Sequence, residues 1–576
     1  MKKKVLPVLV VCALIVIIVA IMGVSALLQK YTPSKERQDL SEYYHLTSED
    51  QIAIILNNET IETTAKLIGE HIYVDYNFVH DTLNSRFYWD ENENILLYAT
   101  ARELISAEAD SNNYLITKSS VDYGRPVVKA TSDSAYIDLE FVKEYSDFTY
   151  EFVKDPNRLI ITNAWGEYNV ALIKRNTYVR VKGGIKSPIL ADVADKEQVT
   201  VLEEDKTWTK VMTKDGIIGY VKSKKLSDFS TETKVSEYEP ETFAHITKDF
   251  EICMAWHQVT STAANSNVAS VLASTKGVNV ISPTWFYLND NNGNIANLAS
   301  TDYVSYCHSQ GVEVWALVSN LENSDADSTY VLTHTSTRQN LVNQIVSMAI
   351  QYNLDGINLD FEALNREEVG DAYIQFVREL SIKCANNGIV LSIDNYVPTS
   401  YTSFYNRSEQ ANFADYIIIM GYDEHYAGSD EGSVSSLEWV KQGVIDTLAE
   451  VPADQVILGM PFYTRVWALT PDSESGDNDD IDADIPYSVS SQVYGMQAAS
   501  NLLASYGVEK QWLEKSGQNY AEFERDGVIY KVWLEDSASA EARLKLLDEY
   551  QLAGASFWKL GFETSDVWDT IIKYIN

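Results

Sequence analysis

"NLDGINLDFEAL", residues 353–364, carries the pattern on which the chain turns. Leu354, Ile357, Leu359 and Phe361 read as the apolar side of a buried strand, yet Asn358, Asp360 and Glu362 occupy every second position. Side chains alternate between the two faces of a strand, so these three polar groups share one face. Burying two carboxylates in a packed interior costs several kcal/mol each unless they are paired or neutralised. A polar layer satisfied by its own hydrogen bonds is the structural alternative to a reactive site.

The surroundings of this stretch give it a place in a fold. From residue 245 onward, strand patterns recur at 250–256, 278–282, 312–318, 354–362, 389–394, 415–422, 455–460 and 554–560, with helical periodicity between them, as at 329–352 and 367–387. Eight such strands predict a (β/α)8 TIM barrel over 245–576, with a small α+β insertion at about 487–550 whose hairpin is "YAEFERDGVIYKVW". Barrel chemistry sits at the C-terminal ends of the strands, and Glu362 ends the fourth.

Residues two apart on a strand are separated by roughly 6.5–7 Å along it. Retaining glycosidases with a protein nucleophile flank the sugar with two carboxylates. Asp360 and Glu362 instead approach from one side, which suits a substrate whose own 2-acetamido oxygen is the nucleophile. Glu362 then protonates the glycosidic oxygen and later activates water. Asp360 holds the acetamido N–H, stabilises the cyclic cation, and by its charge raises the pKa of Glu362.

"DGINLDFE" at 355–362 resembles the DGxDxDxE signature of glycoside hydrolase family 18, the chitinase and N-acetylglucosaminidase family. The resemblance implies that Glu362 is the acid/base and Asp360 the acetamido-positioning aspartate, with Asp355, off the catalytic face, as support. "MGYD" at 420–423 is similar to the family's M-x-Y-D; it implies Tyr422 on the acetamido carbonyl, Asp423 near the reacting sugar, and Met420 beside them. "GMPFYTRVW" at 459–467 resembles the seventh strand, with Tyr463 and Arg465 at the cleft. "GASFWKLG" at 554–561 resembles the eighth, with Trp558 as the floor. Two departures stand out. Asn358 replaces the middle aspartate, where an amide orients Asp360 but cannot share its proton. "VWALVSNLEN" in strand three lacks the S-x-G-G of chitinases. The asparagine form resembles the branch of spore-cortex lytic and related cell-wall N-acetylglucosaminidases, and both departures shift the expected substrate from chitin towards peptidoglycan-like glycan. The alternative is a lectin-like wall-binding protein without turnover, although the acid such proteins lose is present here.

The rest of the 576 residues reads as an exported, multidomain chain. "MKKK" precedes 24 uncharged residues, 5–28, long enough to cross a bilayer with the lysines held inside. Residues 1–30 are thus expected to be a transmembrane anchor that leaves the bulk outside the membrane of a Gram-positive bacterium. "VSA" at 24–26 keeps a cleaved signal open. Residues 31–47 read as a stalk. Over 48–165 a unit repeats at an offset of 63 residues: Tyr73/Tyr136, Asp75/Asp138, Phe78/Phe141, Phe87/Tyr150, Trp89/Phe152 and Leu96/Leu159. This duplicated α+β module resembles the copper amine oxidase N-terminal-like domain, and no His or Cys cluster in it suggests copper. Residues 170–228 resemble a bacterial SH3-like β-barrel, with Trp208 and Tyr220 as ligand candidates, followed by a linker at 229–244. Both modules are expected to contact cell wall. A net charge of −38 argues against nucleic acid as a partner. The four cysteines lack metal or disulfide spacing, and no cofactor or metal is expected. The acidic stretch at 472–484 lacks the glycine and closing glutamate of a calcium loop, and His425 caps its loop or meets substrate.

Overall fold

The computed structural model of the chain describes residues 5–132, 134–471 and 487–575. Two compact units emerge. One holds the chain up to Trp89 together with 107–114 and 120–240; the other holds 90–106, 115–119 and 241–576.

In the second unit eight parallel strands close into a barrel. They are β1 (Ile252–His257), β2 (Val280–Leu288), β3 (Glu313–Ser319), β4 (Gly356–Asp360), β5 (Val390–Tyr396), β6 (Tyr416–Met420), β7 (Val456–Pro461) and β8 (Gly554–Trp558). Each pairs with its sequence neighbour, and β1 pairs with both β2 and β8 to complete the ring. Strands covered on both faces are apolar almost throughout, as in the "YIIIM" of β6, every residue of which is buried. The barrel interior is filled by Ile252, Trp256, Trp315, Leu317, Ile418 and Ile457. Helices Thr335–Tyr352 and Ala372–Asn386 pack outside, the first with one buried stripe and the second buried on nearly every side.

Two expectations about the barrel need correction. "GMPFYTRVW" is not one strand: β7 stops at Pro461, and Tyr463–Pro471 belongs to a separate antiparallel sheet with Tyr487–Gly495 and Val528–Leu534. The insertion therefore begins at Tyr463 rather than 487. It ends before Ser537–Tyr550, which is the outer helix leading into β8. Apolar runs flank Phe462 on both sides, so composition hides the break. The hairpin is where the sequence put it, with Arg525 opposite Val528 and both turn residues, Asp526 and Gly527, in the left-handed region that an Asp-Gly turn favours. The acidic stretch 472–484 lies outside the described residues.

In the first unit, Asp75 and Asp138, equivalent in the repeat, do the same work. Each accepts backbone N–H bonds two and three residues on, capping a short helix that starts at Tyr76 and Leu139 respectively. The strands before them, His71–Asp75 and Ala135–Asp138, pair antiparallel with Tyr73 opposite Asp138 and Tyr136 opposite Asp75. Residues 166–234 form a seven-stranded antiparallel sheet around Ala171, Val179, Val199, Val211 and Val221. Its last strand, Leu226–Lys234, runs into the segment expected to be linker. The strand pairs along Gly166–Ile173, and its side chains beyond Ser227 are mostly exposed, so backbone pairing holds it without apolar alternation. Trp208 and Tyr220 are half-buried. Helix Val5–Tyr31 has a mean hydropathy of 3.2 in its most apolar window and is exposed over Pro7–Tyr31.

Candidate active site

The three polar residues of the opening stretch face the barrel interior as alternation requires, but at different depths. Asn358 is fully buried. Its Oδ1 accepts from Trp256 Nε1 at 2.8 Å and Ser282 Oγ at 3.0 Å, while its Nδ2 donates to Asp394 Oδ1 at 2.8 Å and approaches Ser392 Oγ at 3.3 Å. The expected bond from Asn358 to Asp360 is replaced by this one to Asp394, because the amide lies level with the neighbouring strand's polar row.

Asp360 is the last residue of β4. Its Oδ1 is buried with no hydrogen-bond partner among the described residues. Burial first, then the charges of Asp394, Glu362 and Glu322, hold its carboxyl well above the usual carboxylate range. Glu362 lies two residues past the strand end, in a turn where Ala363 has φ of 53°. Asn320, from the loop after β3, grips its backbone, accepting from Glu362 N at 2.8 Å and donating to Glu362 O at 2.9 Å. The Glu362 carboxyl is raised by burial and by Asp423 and Glu322, against a hydrogen bond from the Tyr396 hydroxyl that lowers it. The lift expected from Asp360 thus comes from burial and other carboxylates.

Tyr422 follows β6; it is edge-on to Trp256 at 6.5 Å and to Tyr463 at 6.3 Å between ring centroids. Burial pushes its phenol well above the ordinary range. Asp423, with φ of 60°, accepts from Tyr463 Oη at 2.6 Å, tying the loop after β6 to the inserted sheet. Met420 is buried at the end of β6. Trp558 ends β8, half-buried and 5.8 Å from the Trp256 ring. Arg465 donates to Ser491 Oγ at 3.2 Å within the inserted sheet. Asp355 sits apart at the other end of β4, bonded to His308 Nε2 and Val314 N at 2.8 Å each. His425 bonds the Asp430 carbonyl and so closes its own loop.

Asp394, Tyr396, Ser392, Asn320 and Trp256 were not foreseen as site residues. β5 does carry a signal of the same kind as β4: Ser392, Asp394 and Tyr396 alternate with Leu391, Ile393 and Asn395 in "LSIDNY". The Tyr396 bond gives a pH prediction. Because it favours ionised Glu362, Tyr396→Phe is expected to raise the Glu362 pKa further and move the alkaline limb of kcat up by about one unit, the worth of one hydrogen bond to a charged group. A pH–rate profile of both proteins checks this.

The half-buried Trp558, the half-buried Glu362 carboxyl with its raised pKa and Asp360 two residues before it make a group suited to acid-catalysed glycoside cleavage. Residues 217–563, more than half the chain, match the sequence model described as Glycosyl hydrolases family 18. The chain belongs to this family. It is a glycoside hydrolase, and residues 175–227 match the bacterial SH3 domain. Among relatives in Bacillus subtilis, the uncharacterized glycosylase YvbX is 24% identical over 54% of this chain and 92% of its own length. The cortical fragment-lytic enzyme is 28% identical over 48% of this chain and 63% of its own. Among solved structures, the Bacillus cereus spore cortex-lytic enzyme SleL is 20% identical, with a TM-score of 0.49 over 58% of this chain and 76% of its own.

Proposed function

We propose that this family 18 hydrolase cleaves β-1,4 linkages at N-acetylglucosamine in peptidoglycan or a chitin-like glycan, with retention and with the substrate's acetamido group as nucleophile. The observation that carries the proposal is the pair Asp360 and Glu362 at one strand end, both with elevated pKa, next to the half-buried Tyr422. Glu362, kept protonated, gives its proton to the leaving oxygen. The acetamido oxygen closes on the anomeric carbon; Asp360 receives the acetamido N–H, and the Tyr422 hydroxyl donates to the acetamido oxygen. Water activated by Glu362 then opens the ring on the same face, which retains configuration. Trp558 supplies the apolar surface beneath the sugar.

Similarity to enzymes named for cortical fragments supports wall glycan over chitin. The apolar helix Val5–Tyr31 supports a membrane anchor that exposes the rest of the chain to wall, with the SH3-like sheet and the duplicated module as wall contacts or spacers. The full chain, incubated with purified peptidoglycan, is expected to generate N-acetylglucosamine reducing ends, and a thiazoline analogue of the cyclised sugar is expected to inhibit. Products without inhibition would refute the acetamido route, and absence of products from both peptidoglycan and chitin oligomers would refute the substrate class.

A further inference from the structure

The carboxyl group that position 358 lacks has a counterpart on the next strand. β4 and β5 run parallel with Asn358 opposite Ser392 and Leu359 opposite Ile393. Continuing that register by one step sets Asp360 beside Asp394, on strands about 4.8 Å apart, and both are inward positions. Asp394 is 3% exposed, and Asn358 Nδ2 bonds its Oδ1 at 2.8 Å. The amide is held in this sense because Trp256 and Ser282 both donate to its oxygen, leaving only its NH2 to face β5. Asp360 Oδ1, by contrast, is buried without a partner. Two buried carboxylates on adjacent positions do not both ionise; one proton between them removes the repulsion and supplies the missing hydrogen bond.

We propose that Asp394 is the proton partner of Asp360, a positioning residue on β5 that takes the place of a second acid on β4, with Asn358 as the clamp that aims it. The proposal rests on the substrate-assisted reading above and adds the proton's whereabouts. With substrate absent the proton lies between the two aspartates. When Asp360 turns to the acetamido N–H, the proton stays on Asp394, so Asp360 meets the developing cation as an anion; when Asp360 turns back, the proton is shared again. No proton enters or leaves. The other titratable groups facing the pair are Glu362 and Glu322, the Tyr422 phenol, Tyr405, and Tyr373 from helix Ala372–Asn386.

The test uses the full chain on one peptidoglycan preparation and compares Asp394→Asn, Asn358→Asp and the double swap Asn358→Asp/Asp394→Asn. Asp394→Asn is expected to lower kcat about 10–100-fold, as loss of a residue that orients a reacting group does, with KM little changed and the pH profile displaced. The double swap, which returns the acid to β4, is expected to recover much of that loss. Wild-type kcat and pH profile in Asp394→Asn, or a folded Asp394→Asn that the swap does not rescue, would overturn the proposal. Carbon-13 NMR of carboxyl-labelled aspartate keeps it testable if Asp394→Asn does not fold. The wild type is expected to show one protonated aspartate persisting at pH 7 that Asp360→Asn removes, and absence of that signal counts against the pair. A normal Asp394→Asn beside a dead Glu362→Gln refutes only this inference, whereas failure of thiazoline inhibition refutes the reading beneath it.

Discussion

Glu362→Gln is expected to lower kcat by about 10²–10⁴-fold, the range by which a positioned general acid accelerates proton transfer. Glutamine keeps the volume and the backbone grip of Asn320, but it has no proton to give the leaving oxygen and cannot activate water in the second step. KM is expected to change little, since the lost interaction exists in the transition state and not in the bound sugar. The variant is also expected to melt no lower than the wild type, because the half-buried carboxyl it removes is held against the charges of Asp423 and Glu322. Reducing-end assays and thermal unfolding of the two proteins check both halves. Activity within threefold of wild type would remove Glu362 from the chemistry and with it the whole assignment of the strand end. The test also bears on the lectin-like alternative, in which the substitution changes neither turnover nor binding.

The barrel and the carboxyls that end its fourth strand were legible because alternation is a covalent property of a strand: once eight apolar runs are in order, the polar positions between them have only one place to point. The same rule fixed Asp355 on the other end and face from Glu362, where it ties β4 to His308 and β3. What escaped was pairing across strands. Whether Asn358 serves Asp360 or Asp394 depends on the stagger of β5, and a single chain segment says nothing about its neighbour's register. The break at Phe462 escaped for a related reason, as a strand that leaves a barrel to enter an antiparallel sheet keeps its apolar character while changing partners. Polar strands were misread in the opposite sense: 229–234 has no apolar stripe because an exposed edge strand needs only its backbone bonds. The row Ser392, Asp394, Tyr396 could have been found by applying to β5 the alternation test that singled out β4.

Asp360→Asn separates what the site does from what it costs. The asparagine cannot carry the negative charge that the cyclic cation needs, so kcat is expected to fall about 10²–10³-fold, comparable to removing one preorganised electrostatic partner. Stability is expected to move the other way, up by about 1–2 kcal/mol at neutral pH, because asparagine, unlike the acid, needs no proton taken up from neutral solution to lie beside Asp394 and Glu362. The sign of the pH dependence follows from the raised pKa of Asp360. The folded wild type favours the protonated acid, so this group's contribution is intact at low pH and is lost as pH rises through the elevated folded value. Asparagine does not titrate, and the gain of the variant over wild type should therefore widen as pH rises from the ordinary aspartate range towards the elevated folded value. Thermal unfolding of both proteins across that range measures it. A variant less stable than wild type at pH 8 would mean that Asp360 is held by favourable contacts as an anion, and that the strand end is a satisfied polar layer with no stored electrostatic strain to spend on the substrate.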